Sequence, residues 1–370
     1  MTVNDEYYMQ FALNLARAVS GQTSPNPPVG AIVVKHGDIL GFGAHLKAGT
    51  AHAEVHALQM AGDQAEGATI YVTLEPCSHH GKTPPCADLI IEKGISRVVI
   101  AVKDPNEKVA GRGIDTLRTA GIDVELGVLQ KEAEMVNRVF FHYTQTKTPY
   151  VTMKTAASLD GKTATYTGDS KWITGEAARH DVHHYRHTHD AILVGVNTVV
   201  ADNPNLTARL PNGGKNPLRI ILDTELRTPL NANVVADQKA DTWIFTGPAI
   251  TNQRTRPYEE AGVSVIPLDA LDPDHVLNYL GSQRIMSLLV EGGAEVNGSF
   301  MECGTFNQLV QYMAPKLIGG KTAPTTIAGN GLKRMPDTQP IEIISVEMLG
   351  EDIKIIAEPR KGDADVYRNH

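Results

Sequence analysis

From Asp5 to Ser20 apolar side chains recur at helical spacing, at Tyr8, Phe11, Ala12, Leu15, Ala16 and Val19, until Gly21 and Pro25 stop the run. Asn26-Pro27-Pro28 makes a rigid turn into the continuous apolar stretch Val29–Val34, a predicted strand, with Ile39–Gly43 as its hairpin partner. A helix opens at His52 and runs to about Gly62. Beyond it the pattern predicts a strand over Thr69–Leu74, a short helix over Cys86–Lys93 and a strand over Arg97–Val102. Gly113–Ala120, Val124–Leu126 and Lys131–Phe141 then read as helix, strand and helix. Such alternation predicts an α/β layer domain over residues 1–147, with Thr144–Pro149 as a link.

A second apolar-rich block opens at Tyr150–Met153 and continues with βα-like alternation to the end, so residues 148–370 suit one larger α/β domain. Its predicted strands are Ala191–Val194, Leu218–Leu222, Thr242–Phe245, Val263–Ile266 and Ser287–Val290. Its predicted helices are Glu176–His187, Pro273–Leu280 and Ala294–Phe300. No internal repeat makes one half a copy of the other.

Composition narrows the function. A net charge of -8 argues against a protein whose main work is gripping a nucleic-acid backbone, but leaves room for a small phosphorylated substrate in a local basic pocket. Met1–Glu6 lacks the basic and apolar regions of an export signal, and no apolar run reaches membrane-spanning length, so a cytoplasmic protein with no membrane partner is expected. Only Cys77, Cys86 and Cys303 are present, and that odd count favours free thiols or metal ligands over disulfides.

His52, Glu54, Cys77 and Cys86 carry the clearest chemistry. Imidazole and thiolate are ready zinc ligands, and three protein ligands leave a fourth position for water, as in a catalytic site. Glu54, two residues after His52, is placed to move protons without binding the ion, which is the arrangement of a zinc deaminase. A closed structural zinc site, or two inert buried cysteines, is the alternative. The eight residues between Cys77 and Cys86 exceed the general deaminase spacing. His56 stands at i+4 from His52, but Ala53 occupies the position where a zincin needs glutamate. Gly81-Lys82-Thr83 and Gly320-Lys321-Thr322 lack the leading glycine of a P-loop, having Pro76 and Pro315 there instead. Leu289–Glu295 reads as strand, double glycine and helix, which is either an ordinary tight turn or a cofactor loop bringing backbone N–H groups to a phosphate.

Beyond the zinc motif, nearly the whole chain resembles the bifunctional deaminase–reductase family of riboflavin biosynthesis. The resemblance is carried by Ser24–Gly30, His52-Ala53-Glu54, Thr73–Cys77, Gly81–Cys86, Asp104-Pro105-Asn106 and Gly111-Arg112-Gly113. In the second domain Lys154–Lys162, Gly195–Thr198, Asp202-Asn203-Pro204 and Glu291-Gly292-Gly293 carry it. The wide cysteine spacing matches that family's own pattern. The resemblance implies a cytidine-deaminase-like three-layer α/β/α domain followed by a dihydrofolate-reductase-like α/β domain. It implies one zinc ion per chain on His52, Cys77 and Cys86, with Glu54 as proton shuttle, and NADPH in the second domain. Zinc-dependent deamination of 2,5-diamino-6-(5-phosphoribosylamino)pyrimidin-4(3H)-one would precede reduction of the ribosyl group to ribityl. Asn26, His45, His79, Lys82, Asp104 and Asn106 would line the deaminase pocket. Cofactor contacts would fall on Ala156, Trp172, Thr198 and Asp202, and on Gly293, Ala294, Glu295, Val296, Asn297, Gly298 and Ser299. Ser170, Thr174, Arg186, Leu206, Arg209 and Glu291 would meet the reductase substrate, with Lys154 near the reacting centre. Arg186 and Arg209 suit a phosphate clamp because guanidinium binds bidentately. Assembly into a homo-oligomer is a further implication.

Overall fold

The computed structural model describes residues 4–78, 84–106 and 110–360. The chain divides into two compact units, Met1–Lys147 and Thr148–His370.

The first unit begins with α1 (Asp5–Ala18), β1 (Gly30–Lys35), β2 (Asp38–Ala44) and α2 (Ala53–Ala61). β3 (Thr69–Val72), α3 (Cys86–Glu92), β4 (Arg97–Ile100), α4 (Arg112–Thr119) and β5 (Asp123–Leu126) follow, and α5 (Gln130–Val136) and α6 (Arg138–Thr146) close it. The sheet order is β2-β1-β3-β4-β5, antiparallel as far as β3 and parallel beyond. Ala31, Ile32 and Val33 are consecutive and fully buried, so β1 is covered on both faces. On β2, a Cβ at Gly41 would lie 2.2 Å from the Ala57 carbonyl oxygen and one at Gly43 2.6 Å from that of Ala53. Glycine there lets α2 press onto the strand, which sets where the first turn of α2 stands.

Two expectations for this unit change. The single helix predicted over Lys131–Phe141 is broken at Asn137, whose buried side-chain amide donates to the Ala133 carbonyl at 3.2 Å, a local bond that competes with helical pairing. Because α6 then runs to Thr146, the expected link shrinks to Lys147–Pro149.

The second unit starts with β6 (Tyr150–Ser158), α7 (Glu176–Thr188), β7 (Ala191–Gly195), α8 (Val196–Asp202) and β8 (Leu218–Leu222). Next come α9 (Asn233–Ala236), β9 (Thr242–Thr246), α10 (Asn252–Glu260), β10 (Ser264–Pro267), α11 (Pro273–Ser282), β11 (Ser287–Val290) and α12 (Ala294–Cys303). β12 (Gln308–Ala314), β13 (Ile341–Leu349) and β14 (Asp352–Pro359) finish it. The nine strands lie in the order β10-β9-β8-β7-β11-β6-β12-β14-β13, parallel from β10 to β12 and antiparallel beyond. Neighbouring residues of one strand enter opposite apolar clusters. Ile192, Ile221, Ile244 and Leu289 pack on one face, and Leu193, Ile220, Phe245 and Leu288 on the other.

The expected βα alternation does not reach the end of the chain, because β12, β13 and β14 follow one another without an α-helix between them. β13 escapes a period-two reading because it lies on the sheet edge with Ile343, Val346 and Met348 all exposed.

Candidate active sites

In the first unit the C-terminal ends of β2, β3 and β4 and the N-terminal end of β1 share one edge of the sheet, and the predicted deaminase residues other than His79 and Lys82 lie on the segments that adjoin it. His52 precedes α2, Cys77 follows β3, and Cys86 is the first residue of α3. Their ligand atoms all lie within 4.8 Å of one another. His52 Nδ1 is 3.2 Å from Cys86 Sγ and 3.6 Å from Cys77 Sγ. Zinc–sulfur and zinc–nitrogen bonds at a tetrahedral angle place nitrogen and sulfur about 3.6 Å apart, so the donor set and its spacing fit zinc. Glu54 is buried in the first turn of α2, and its carboxyl is close enough to His52, Cys77 and Cys86 to interact with them electrostatically. Burial pushes that carboxyl up to about 7 against the pull of His52.

His45 backs the site. Its buried ring lies edge-on to His52 with centroids 5.3 Å apart. Nδ1 faces the Ala51 carbonyl at 3.1 Å and Nε2 faces Asn26 Nδ2 at 3.0 Å. A carbonyl only accepts and an amide nitrogen only donates, so these partners select the neutral Nδ1–H tautomer. Asn26 is in turn held by the turn bond from its N–H to the Thr23 carbonyl. Asp104 Oδ1 accepts from the Asn106 N–H at 2.8 Å, fixing that loop locally. His79 and Lys82 lie outside the described residues.

In the second unit a cleft of about 640 Å³ opens at the C-terminal ends of β7, β8 and β11. Gly195–Thr198, Gly293–Val296 and the segment after β8, with Thr224, Glu225 and Arg227, line it. Gly293 caps the ten-residue α12, so backbone N–H groups face the cleft as the strand, double glycine and helix predict. Of the predicted cofactor residues, Thr198, Gly293, Ala294, Glu295 and Val296 line the cleft. Asn297 and Gly298 turn the other way: Asn297 donates to the Thr326 carbonyl at 2.9 Å, and a Cβ at Gly298 would meet the Ala328 carbonyl oxygen. Ser299 lines a smaller apolar recess beside the cleft. Ala156 lies in β6, Asp202 ends α8, and Trp172 stands exposed with Arg179 4.7 Å above its ring. Ser170 lies in the same long loop as Trp172, and Thr174 accepts from Arg179 through its carbonyl.

A charged cluster forms where β6, β11 and α7 meet. Arg186 grips Glu291 bidentately, at 2.7 Å through Nε and 2.9 Å through Nη2, and Lys154 Nζ stands 3.9 Å from the same carboxylate. Burial would raise the Glu291 carboxyl, but Arg186, then Lys154 and His183, outweigh it and hold the group at about 2. Burial lowers Lys154, partly offset by Glu291 and reinforced by Arg186. Arg186 therefore meets a carboxylate where phosphate was expected. Its Nη1 reaches the Thr207 carbonyl, and Arg209 Nη1 meets the Thr207 hydroxyl at 3.2 Å. Leu206 is buried in the core with a left-handed backbone (φ 52°), so only its main chain could face a ligand.

The family profile of the cytidine and deoxycytidylate deaminase zinc-binding region matches residues 2–102, and that of the RibD C-terminal domain matches 149–355. The riboflavin biosynthesis protein RibD of Bacillus amyloliquefaciens is 54% identical over 99% of this chain and 100% of its own length. This chain belongs to the RibD family. The Escherichia coli RibD is 41% identical over 95% of this chain and 98% of its own. Among solved structures, Acinetobacter baumannii RibD superposes with a TM-score of 0.88 at 38% identity, covering 96% of this chain and 99% of that one. A Thermotoga maritima diaminohydroxyphosphoribosylaminopyrimidine deaminase/5-amino-6-(5-phosphoribosylamino)uracil reductase gives 0.86 at 37% identity, covering 96% and 98%. The fold is thus that of RibD, a deaminase-like unit followed by a dihydrofolate-reductase-like one.

Several residues of this RibD-family chain escaped the sequence reading. Buried Glu75 accepts four backbone N–H groups, from Asp104 and Gly111 on Oε2 and from Gly113 and Ile114 on Oε1. The carboxylate thereby holds the loop that carries Asp104 and Asn106. A glutamate between leucine and proline at a strand end was the available signal. His183, whose buried Nδ1 has no hydrogen-bond partner among the described residues, stands near Arg186, Arg209 and Glu291. Burial pushes it down to about 4, with both arginines adding. Arg227 donates to Asn197 Oδ1 at 3.0 Å across the cleft, and its sequence context carried no signal.

Proposed function

We propose that the first unit deaminates 2,5-diamino-6-(5-phosphoribosylamino)pyrimidin-4(3H)-one and that the second reduces the ribosyl group of the resulting 5-amino-6-(5-phosphoribosylamino)uracil to ribityl. The observation that carries this reading is the grouping of His52, Cys77 and Cys86 around one point with the buried Glu54 carboxyl beside it. His52, Cys77 and Cys86 hold zinc, which when bound supplies a water activated for attack near neutral pH. Glu54 carries one proton from the attacking water to the departing ammonia; its burial suits a group that must alternate between charged and neutral forms. Asn26, His45, Asp104 and Asn106 orient the ring and its substituents, with His79 and Lys82 assigned to the same pocket by resemblance.

The second unit takes NADPH along the cleft formed by Thr198 and Gly293–Val296, with Trp172 as a further contact. The cofactor supplies hydride. Arg227 provides the cleft with a cation for the 2′-phosphate. Lys154 stands beside the reacting carbon, where its ammonium either stabilises developing negative charge or hands over the proton that accompanies hydride. Arg209 holds the substrate phosphate, and Glu291 positions Arg186 and Lys154. This division assigns residues 1–147 to deamination and 148–370 to reduction. Among the described residues no helix is long and apolar enough to cross a membrane, which supports cytoplasmic residence. The acidic balance counts against nucleic-acid binding, and the exposed apolar face of β13 supports assembly into a homo-oligomer.

Chelation of the full chain tests the assignment. Ammonia release should stop while NADPH oxidation on pre-deaminated substrate continues. Equal loss of both activities with the second unit still folded would overturn it.

A further inference from the structure

The long loop 159–175 joins β6 to α7 and carries Ser170, Trp172 and Thr174, yet no regular structure holds it. Loops of this length inside a compact unit are functional or loose, and this one is pinned. After β12 the chain turns back over the end of β6, where the Leu159 N–H donates to the Lys316 carbonyl at 2.9 Å. Asp160 anchors that return. Its Oδ1 accepts from the Ser158 hydroxyl at 2.6 Å and the Ile318 N–H at 3.0 Å, and its Oδ2 accepts from the Gly319 N–H at 2.6 Å. From this anchored segment the Lys316 ammonium donates to two successive carbonyls, Trp172 at 2.8 Å and Ile173 at 2.7 Å. Arg179 completes the grip, donating to the Thr174 carbonyl at 2.6 Å while its guanidinium stacks on the Trp172 ring.

The indole so held is 64% exposed, and Leu159, which bonds the Lys316 carbonyl, and Leu317, which follows Lys316, are also large, apolar and exposed. Holding a wet indole in place with a charged side chain is costly in side-chain entropy. Fixing the orientation of a ring that will stack on a ligand offsets that cost, because the ordering is complete before binding.

We propose that Lys316 is a positioning residue of the reductase: through the Trp172 and Ile173 carbonyls it fixes the Trp172 indole in the orientation that receives the cofactor. Asp160 acts one step behind it by fixing the segment from which Lys316 reaches. Lys316 touches neither substrate nor cofactor. The proposal rests on the reading of Trp172 as a cofactor contact, and the test separates the two.

The experiment uses the full chain with Lys316→Met, Lys316→Arg, Asp160→Asn and Trp172→Phe. Trp172 and Trp243 are the only tryptophans, so Trp172→Phe reports Trp243 alone and the difference from the unsubstituted chain gives the Trp172 signal in time-resolved fluorescence anisotropy. In Lys316→Met, which loses both charge-assisted hydrogen bonds, the Trp172 indole should gain fast local motion and KM for NADPH should rise at least about tenfold. Its kcat should stay within about twofold, since no interaction unique to the transition state is removed. Lys316→Arg, which keeps the donors, should restore both values, and Asp160→Asn should fall between. Wild-type anisotropy and KM in Lys316→Met overturn the proposal. If indole motion increases while Trp172→Phe leaves KM for NADPH unchanged, Lys316 positions the ring but the cofactor-contact reading fails, and with it the proposed purpose. A loss of NADPH binding that Lys316→Arg does not restore would reduce Lys316 to a merely structural residue and refute the proposal.

Discussion

Replacing Glu75 with glutamine tests whether the deaminase pocket depends on a residue that touches neither metal nor substrate. The wild-type carboxylate gives each oxygen two backbone donors: Gly113 at 3.0 Å and Ile114 at 3.4 Å on Oε1, Gly111 at 3.0 Å and Asp104 at 3.2 Å on Oε2. Glutamine keeps one acceptor oxygen and turns an NH2 group toward the other pair, leaving two N–H groups facing donors. At about 1–3 kcal/mol for each buried group left unsatisfied, the substitution costs about 2–6 kcal/mol, all of it in the first unit. It also frees the backbone at Asp104 and Gly111, which bracket the loop holding Asn106. A chain of two units does not unfold in one step, so the readout should be local: urea-dependent zinc release, together with ammonia production and NADPH oxidation on the same preparation. Zinc release should move to lower urea and ammonia production fall at least about tenfold, with reduction of pre-deaminated substrate within about twofold. Gly113→Ala should do the same, since its Cβ would lie 2.1 Å from the Pro76 carbonyl oxygen. Wild-type zinc release and deamination in Glu75→Gln would refute the reasoning.

Glu291 predicts a pH signature in the second unit. Its folded value of about 2 lies below the ordinary 4.5, so its stabilisation is complete above about pH 4.5 and is lost as pH falls toward 2, in total about 3 kcal/mol. Urea unfolding of the second unit against pH should show that slope in the wild type and lack it in Glu291→Gln, which should also be weaker at neutral pH for leaving Arg186 unpaired; parallel curves would refute the pairing. For the cofactor, Arg227→Ala should raise KM for NADPH about ten- to a hundredfold and leave KM for NADH nearly unchanged. Equal effects on the two cofactors would remove Arg227 from 2′-phosphate recognition.

The zinc-deaminase constellation was legible because each of its members has a narrow chemical reason to sit where it does. His52 and Glu54 share one helix start, and Cys77 and Cys86 close a short loop, so local spacing already brings most of the ligand atoms together. The parallel strands of the second unit were legible for a related reason: buried on both faces, they read as unbroken apolar runs such as Ala191–Val194 and Ser287–Val290. Edge strand β13 was not, since burial imposes no pattern on a strand that is exposed on both sides. The break at Asn137 was equally hidden, because a side chain that bonds its own helix backbone declares itself only when buried.

What the sequence by itself determined, then, was the chemistry of the first site, the α/β class of both halves and the family of the whole chain. Only the tertiary structure decided which polar residues act on one another. Arg186, expected to clamp phosphate, lies 105 positions from the carboxylate it grips, and Glu75 collects four N–H groups from a loop and helix that begin some thirty residues later. Trp172 is held by Lys316 from across 144 residues. Charge pairing and hydrogen bonding depend on distances of about 3 Å, and such distances between remote residues are set by how strands are ordered in a sheet, which no local pattern records.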